Sequence, residues 1–371
     1  MPLYRQFSVL LMMTVATLSQ QGNNPFASGL FYVNPAFQSE IASSIATCTN
    51  PTACTNLRLM SNISSAFWID TKAKINGDPT DTVSVSGILA DAASRTPTPT
   101  VVFIVYDVPN RDCHAKASNG EICCNYNADK TCNYDASGDC AAGITEYETT
   151  YIDPLVALFA QYNGKVPIVA IIEPDSLPNL STNQGDPHCG NTATSAAYTI
   201  GIPYTINAIA TKAPAVSMYL DAAHGGWLGW ENNAQAFASL VQGLGITQHL
   251  RGFATNVANY QPLGEACSTF DWCLPNNHPN DACCADPCHL ESQYDPGVSE
   301  HQYVQILEHY FQGQMASPKF IIDTGRNGVD GMRAQCANWC NIRGAGVGRL
   351  PTSVTDLPAI DAYFCTFYFV H

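Results

Sequence analysis

Basic residues are scarce in this chain. Lys and Arg number 16 against 31 Asp and Glu, a formal net charge of −15 over 371 residues. A phosphate backbone would be repelled, and no Lys/Arg stripe relieves the repulsion, so nucleic acid is excluded as a partner. No apolar run beyond the N-terminal segment is long enough to cross a bilayer, so no membrane partner is expected once that segment is removed. Neither a Gly-x-Gly-x-x-Gly nor a P-loop sequence is present, which argues against nucleotide chemistry. The absence of a Gly-x-Ser-x-Gly elbow weakens a serine esterase. No His/Cys/Asp set has metal-ligand spacing, so neither a metal nor a cofactor is expected. No repeat of fixed period and no linker to a second module are visible.

Cysteine, by contrast, is plentiful. All 16 cysteines follow residue 19. Residues 1–19 read as a secretory signal, with Arg5 before the apolar stretch Phe7 to Leu18. An even cysteine count after such a segment points to disulfides in an oxidising, extracellular compartment. Two inserts, near 123–140 and 267–288, concentrate these residues. Metal binding would need paired Cys-x-x-Cys units, so disulfide-stapled surface loops are the better reading. Asn62 and Asn179 begin Asn-x-Ser sequons; Asn179, close to Asp175, is the less favoured glycan site.

Four apolar runs each end in an acid: Val101–Asp107, Ile168–Asp175, Val216–Asp221 and Phe320–Asp323. Continuous apolar runs mark strands buried on both faces, hence parallel strands covered by helices. The predicted strands are Ala66–Thr71, Val101–Asp107, Val166–Asp175, Val216–Ala222, Arg251–Val257 and Lys319–Thr324. Helical spacing covers Ile41–Ser61, Thr80–Ser94, Thr145–Tyr162, Thr194–Thr211, Ala234–Leu244 and Ser299–Gln312. This alternation predicts an α/β barrel or near-barrel in one domain, residues 20–371. Chemistry in such folds sits at the carboxyl ends of the strands.

The residues there are acids, indoles and hydrogen-bonding groups. Asp112, Asp175 and Asp221 can exchange protons or stabilise positive charge. Trp68, Trp227, Trp230 and Trp339 offer flat faces for sugar rings. Arg111, His224 and Asn256 can hydrogen-bond hydroxyls. Acids plus aromatics without a cofactor point to glycoside hydrolysis. Bland alternatives stand beside each residue. Asp175 could cap a helix, Asp221 could pair with Arg326 or His224, Trp68 and Trp339 could be core, and His224 could be scaffold. Asp107 and Asp323 read as structural.

Taken together these motifs resemble glycoside hydrolase family 6, the inverting cellulases. The resemblance rests on Asn24-Pro25-Phe26, Tyr32-Val33-Asn34-Pro35, Phe67-Trp68-Ile69-Asp70 and Tyr106-Asp107-x-Pro109-x-Arg111-Asp112-Cys113. It continues in Ile172-Glu173-Pro174-Asp175-Ser176-Leu177, Tyr219-Leu220-Asp221, Trp227-Leu228-Gly229-Trp230, Asp323-x-Gly325-Arg326-Asn327-Gly328 and Trp339-Cys340-Asn341.

The resemblance implies a distorted (β/α) barrel of about seven parallel strands. It implies a secreted, monomeric cellobiohydrolase or endoglucanase acting on β-1,4 bonds of cellulose and cello-oligosaccharides. Asp175 would be the general acid, Asp112 the neighbour that raises its pKa, and Ser118 the holder of the attacking water. Tyr106 would distort the sugar at the cleavage point, and Asp221 would organise the rim. Trp68 and Trp339 would grip the non-reducing side, Trp227 and Trp230 the other, and Cys113 would pair with Cys189. After Phe364 the family's segment with a lysine, a glutamate and an aspartate has no counterpart here. The expectation is therefore a barrel apparently lacking its C-terminal strand and helix, with an open sheet edge. Cys336 or Cys365 would then substitute as partner for Cys340. The alternative function is a weakly active or inactive carbohydrate-binding homologue on the same scaffold.

Overall fold

A computed structural model describes residues 23–366 except 79, 115–117, 136, 287, 289–294, 337 and 339–341. The expected signal (1–19), Trp339 and Cys340 lie outside the described residues.

Seven parallel strands form one sheet in sequence order: β1 (Phe67–Ile69), β2 (Val101–Val105), β3 (Ile168–Ile172), β4 (Ser217–Asp221), β5 (Gly252–Thr255), β6 (Lys319–Asp323) and β7 (Ile360–Phe364). The sheet curls around an inner core, and its side chains alternate between that core and the helices outside. On β2, Val101, Phe103 and Val105 pack outward against the helices, while Val102, Ile104 and then Tyr106 point inward. β3 repeats this, with Ile168, Ala170 and Ile172 outside and Val169 and Ile171 inside. Phe26 plugs the interior beside Tyr219 and Phe364.

β7 corrects the expectation of a missing C-terminal strand. Its run Ile360-Asp361-Ala362-Tyr363-Phe364 contains an acid, so it escapes a search for continuous apolar runs. Asp361 is nonetheless buried, paired with Arg251 at 2.6 Å and accepting the Tyr219 hydroxyl at 2.6 Å. β7 pairs with β6 through a register shift. The sheet edges also meet: Ser65 bridges Cys365, and the Ala66 N–H donates to the Cys365 carbonyl at 2.9 Å.

The helices are α1 (Pro35–Thr47), α2 (Pro51–Met60), α3 (Val85–Ser94), α4 (Ala141–Glu146), α5 (Asp153–Gln161), α6 (Ser176–Thr182), α7 (Thr192–Lys212), α8 (Gly225–Leu228), α9 (Glu231–Gly243) and α10 (Glu300–Tyr310). The predicted helix Ile41–Ser61 is two helices. Asn50 caps α2, accepting from the Thr52 and Ala53 N–H groups, and Pro51 takes the first position, where its missing N–H costs nothing. The predicted helix Thr145–Tyr162 is continuous but opens into a π-turn at Tyr147–Ile152, just before Pro154.

Seven disulfides are present among the described residues, including the expected Cys113–Cys189. Both inserts are stapled, by Cys123–Cys132 and Cys124–Cys140 in the first and by Cys267–Cys283 and Cys273–Cys284 in the second. Cys336, expected as a substitute partner for Cys340, instead pairs with Cys288, and Cys365 is a buried free thiol. Among the described residues no helix is long and apolar enough to cross a membrane.

Candidate active site

The turns after the strands are where this backbone is least relaxed. Of the nine non-glycine residues with positive φ among the described residues, seven follow strands β2 to β5: Asn110, Asp112, Glu173, Asp175, Ala223, Asn256 and Ala258. Left-handed backbone outside glycine costs of order 1 kcal/mol or more each and persists only where the surroundings enforce it. Here it turns the chain sharply after the strands, and of these residues Asp112 and Asp175 reach the cavity described below.

Asp175 sits at φ 62° at the start of α6. Its side chain caps no helix N–H, so the capping alternative fails. Its own N–H donates to Asp221 Oδ2 at 2.8 Å, and its Oδ1 has no hydrogen-bond partner. Burial, then the charges of Asp221 and Asp112, hold its pKa well above the usual carboxylate range. Asp221, completely buried, accepts a second N–H from Ala223 at 3.0 Å and is pushed up to about 7 by burial. Those two N–H bonds favour the ionised form, so in this coupled pair Asp175 is the carboxyl that keeps the proton.

The Tyr106 hydroxyl donates to Asp112 Oδ2. Burial and the acid neighbours keep that phenol protonated. Trp68 packs edge-on against Tyr106 with ring centroids 5.2 Å apart, and its indole N–H donates to the Thr366 carbonyl at 2.6 Å.

Beside these residues lies a cavity of about 660 Å³. Asp112 and Asp175 line it together with His224, Trp227 and Trp230. Trp227 is braced by its N–H to Thr182 Oγ1 at 3.1 Å. His224 is almost buried, and burial with the Arg333 charge lowers its pKa to about 4, so it is a neutral imidazole at ordinary pH.

Two expected sugar contacts are corrected. Asn256 is completely buried, and its amide donates to the Asp323 carbonyl at 2.9 Å, bracing β5 against β6. Arg111 is also buried. Its guanidinium covers the Tyr106 ring at 4.2 Å, donates to the Tyr106 carbonyl, and reaches the Asp70 carbonyl at 3.0 Å. It positions Tyr106 rather than facing the cavity. Ser118 is exposed, beyond residues 115–117, and does not line the cavity.

Other residues complete the lining. Asn179, Asn183, Asn233 and Asn259 bring amides to the wall, and Arg333 brings a cation. Asn179 also donates to the Cys189 carbonyl at 3.2 Å, whereas Asn62 is exposed. Asn179 and Asn259 stand in polar stretches just past strands, whereas Asn183, Asn233 and Arg333 stand in none. Glu300, fully buried at the start of α10, accepts the Gly225 N–H at 2.9 Å and so anchors the helix that bears Trp227.

A carboxyl that retains its proton can protonate a departing oxygen, and the indoles beside it suit pyranose faces, so fold and site together define an O-glycosyl hydrolase. The chain matches the model for Glycosyl hydrolases family 6 across residues 26–366 and belongs to that family. It is 34% identical over 343 residues to Exoglucanase 3 of Agaricus bisporus, covering 91% of this chain and 67% of the relative. It is 33% identical over 358 residues to 1,4-beta-D-glucan cellobiohydrolase C of Emericella nidulans, covering 94% and 69%. The chain thus spans about two thirds of the length of these relatives. Its structure is similar to the CcCel6A catalytic domain complexed with p-nitrophenyl beta-D-cellotrioside, with TM-score 0.71, 31% identity, and 93% and 84% of the two chains covered.

Proposed function

We propose that this chain hydrolyses β-1,4-glucosidic bonds of cellulose and cello-oligosaccharides with inversion at the anomeric carbon. The observation that carries this reading is the Asp175 carboxyl, its Oδ1 without a hydrogen-bond partner and its pKa raised by burial and two neighbouring acids, in a cavity shared with Asp112 and two indoles. The names of the curated relatives and the cellotrioside in the related structure support the substrate class.

In this mechanism Asp175 gives its proton to the glycosidic oxygen as the bond from that oxygen to the anomeric carbon breaks. A water attacks the opposite face of that carbon. Its proton passes through a second water towards Asp112, whose other hydrogen bond comes from Tyr106. Asp221 keeps Asp175 neutral until the leaving oxygen arrives. Seven disulfides suit an oxidising compartment, and the enzyme is read as secreted, extracellular and monomeric.

The test is reducing-sugar release from swollen cellulose by the parent and by Asp175→Ala, with NMR of the first-formed anomer. Release of the α-anomer by the parent and its loss in a folded variant is the expected outcome. Near-normal turnover by the variant refutes the assignment. Oligosaccharide binding by the parent without release would mark a carbohydrate-binding protein instead.

A further inference from the structure

Neutral sugars need no cation to bind them, yet this cavity has one. Arg333 lines it beside Trp227, Trp230, Asn259 and His224. Its guanidinium covers the Tyr260 ring at 5.2 Å. Nη2 donates to Gln261 Oε1 at 3.0 Å and Nη1 to the Cys336 carbonyl at 3.1 Å. A guanidinium has five N–H donors, so these two bonds leave three without a partner among the described residues.

No carboxylate forms an ion pair with Arg333 among the described residues. The carboxylate that acts on it by charge is Asp286, without a direct contact. Burial pulls its pKa down, which means the charged form is short of solvent or anion. Arg333 therefore differs from Arg251, whose charge is met by Asp361, and from Arg111, which is spent on backbone carbonyls and Asp107.

A second polar side chain stands at the same wall. His224 lines the cavity and is 9% exposed, with its Nδ1 buried. The imidazole is neutral partly because the Arg333 charge is near it. A ligand that reaches Arg333 thus passes two indole faces and an imidazole that can exchange a hydrogen bond.

We propose that Arg333, with His224 beside it, is the part of this cavity that receives a carboxylate carried by a gluco-oligosaccharide, the sugar rings stacking on Trp227 and Trp230. A planar guanidinium with open N–H groups matches a carboxylate by geometry as well as charge. Two sources carry that chemistry: an oligosaccharide oxidised to an acid at its reducing end, and one bearing a uronic acid branch. The inference rests on the glucan-binding reading of the cavity given above.

Binding is measured by calorimetry in Asp175→Ala, which removes turnover. The ligands are cellotetraose, cellotetraonic acid and a glucuronosyl-substituted cello-oligosaccharide, at low and high salt. The expected result is that one acidic ligand binds about fivefold tighter than cellotetraose at low salt, a gain tempered by the partial exposure of Arg333. High salt shrinks the preference. Adding Arg333→Gln abolishes it while leaving cellotetraose affinity within about twofold, and Arg333→Lys retains part of it. Which acid wins tells whether the carboxylate sits at the chain end or on a branch. Equal affinity for neutral and acidic ligands overturns the proposal but not the hydrolase reading, and so does a preference that survives Arg333→Gln. Failure of every ligand to bind overturns both.

Discussion

Asp175 is one of several carboxyls of identical chemistry in this chain; what separates it is what its atoms touch. Each of the pair has an Oδ1 without a partner, but Asp221 Oδ2 accepts two N–H groups, whereas no N–H among the described residues donates to the Asp175 carboxyl. A test of the electrostatic part is Asp221→Asn. The amide oxygen can still accept the Asp175 N–H, but the charge that raises the Asp175 pKa is gone. The alkaline limb of the pH–rate profile on a soluble cello-oligosaccharide should then move to lower pH. An unmoved limb would show that burial alone keeps the proton on Asp175. Asp175, Asp112 and the indole pair were legible in the sequence because each stands just past a strand end. Asn256 and Arg111 stand in the same stretches, yet their side chains turn into the protein. Position along a strand does not reveal that rotation.

The element that shapes the cavity wall is the short segment from His224 to Trp230. Glycines make it possible: a Cβ on Gly229 would meet Asp295 Oδ1 and the Gly225 carbonyl, both at 2.3 Å. Glu300 holds its first turn by accepting the Gly225 N–H. Glu300→Ala should leave that N–H unsatisfied and the indole wall loose. The expected cost is about 1–3 kcal/mol of stability, with KM for long cello-oligosaccharides rising several-fold and kcat on a short activated glycoside little changed. Glu300→Gln keeps an acceptor and should restore KM. Equal KM in all three proteins would remove Glu300 from this role. The sequence hid Glu300 because it lies 75 residues from its partner. It hid β7 for a related reason, since Asp361 breaks the apolar pattern and is tolerable only because Arg251 faces it.

At the scale of the molecule, buried acids set the pH response. Burial pushes Glu173, Asp221, Asp295 and Glu300 up to about 7 and Asp107 up to about 9. Between the unfolded values and these, the native state binds more protons than the unfolded one, so stability falls as pH rises. Exposed Asp78 and Asp129 and half-buried Asp186 are lowered by hydrogen bonds and act in the opposite sense at more acidic pH. The melting temperature should therefore peak near pH 4–5 and fall steadily towards pH 8, as calorimetry across that range can check. A profile that rises to pH 8 would contradict the buried protonated acids. The Cys113–Cys189 link encloses a separation of 76 residues. Replacing both cysteines by serine should cost up to about 4 kcal/mol, and activity should fall further than stability because Asp112 adjoins Cys113.

The sequence by itself determined the strand–helix alternation, the disulfide-rich inserts and the family, because apolar periodicity and spaced motifs are local properties of a chain. Only the tertiary structure decided which acid keeps a proton, which polar side chains are buried braces, and where a lone guanidinium meets the cavity. Each of these depends on solvent exclusion and on partners distant in sequence, and neither quantity is written in any short stretch of residues.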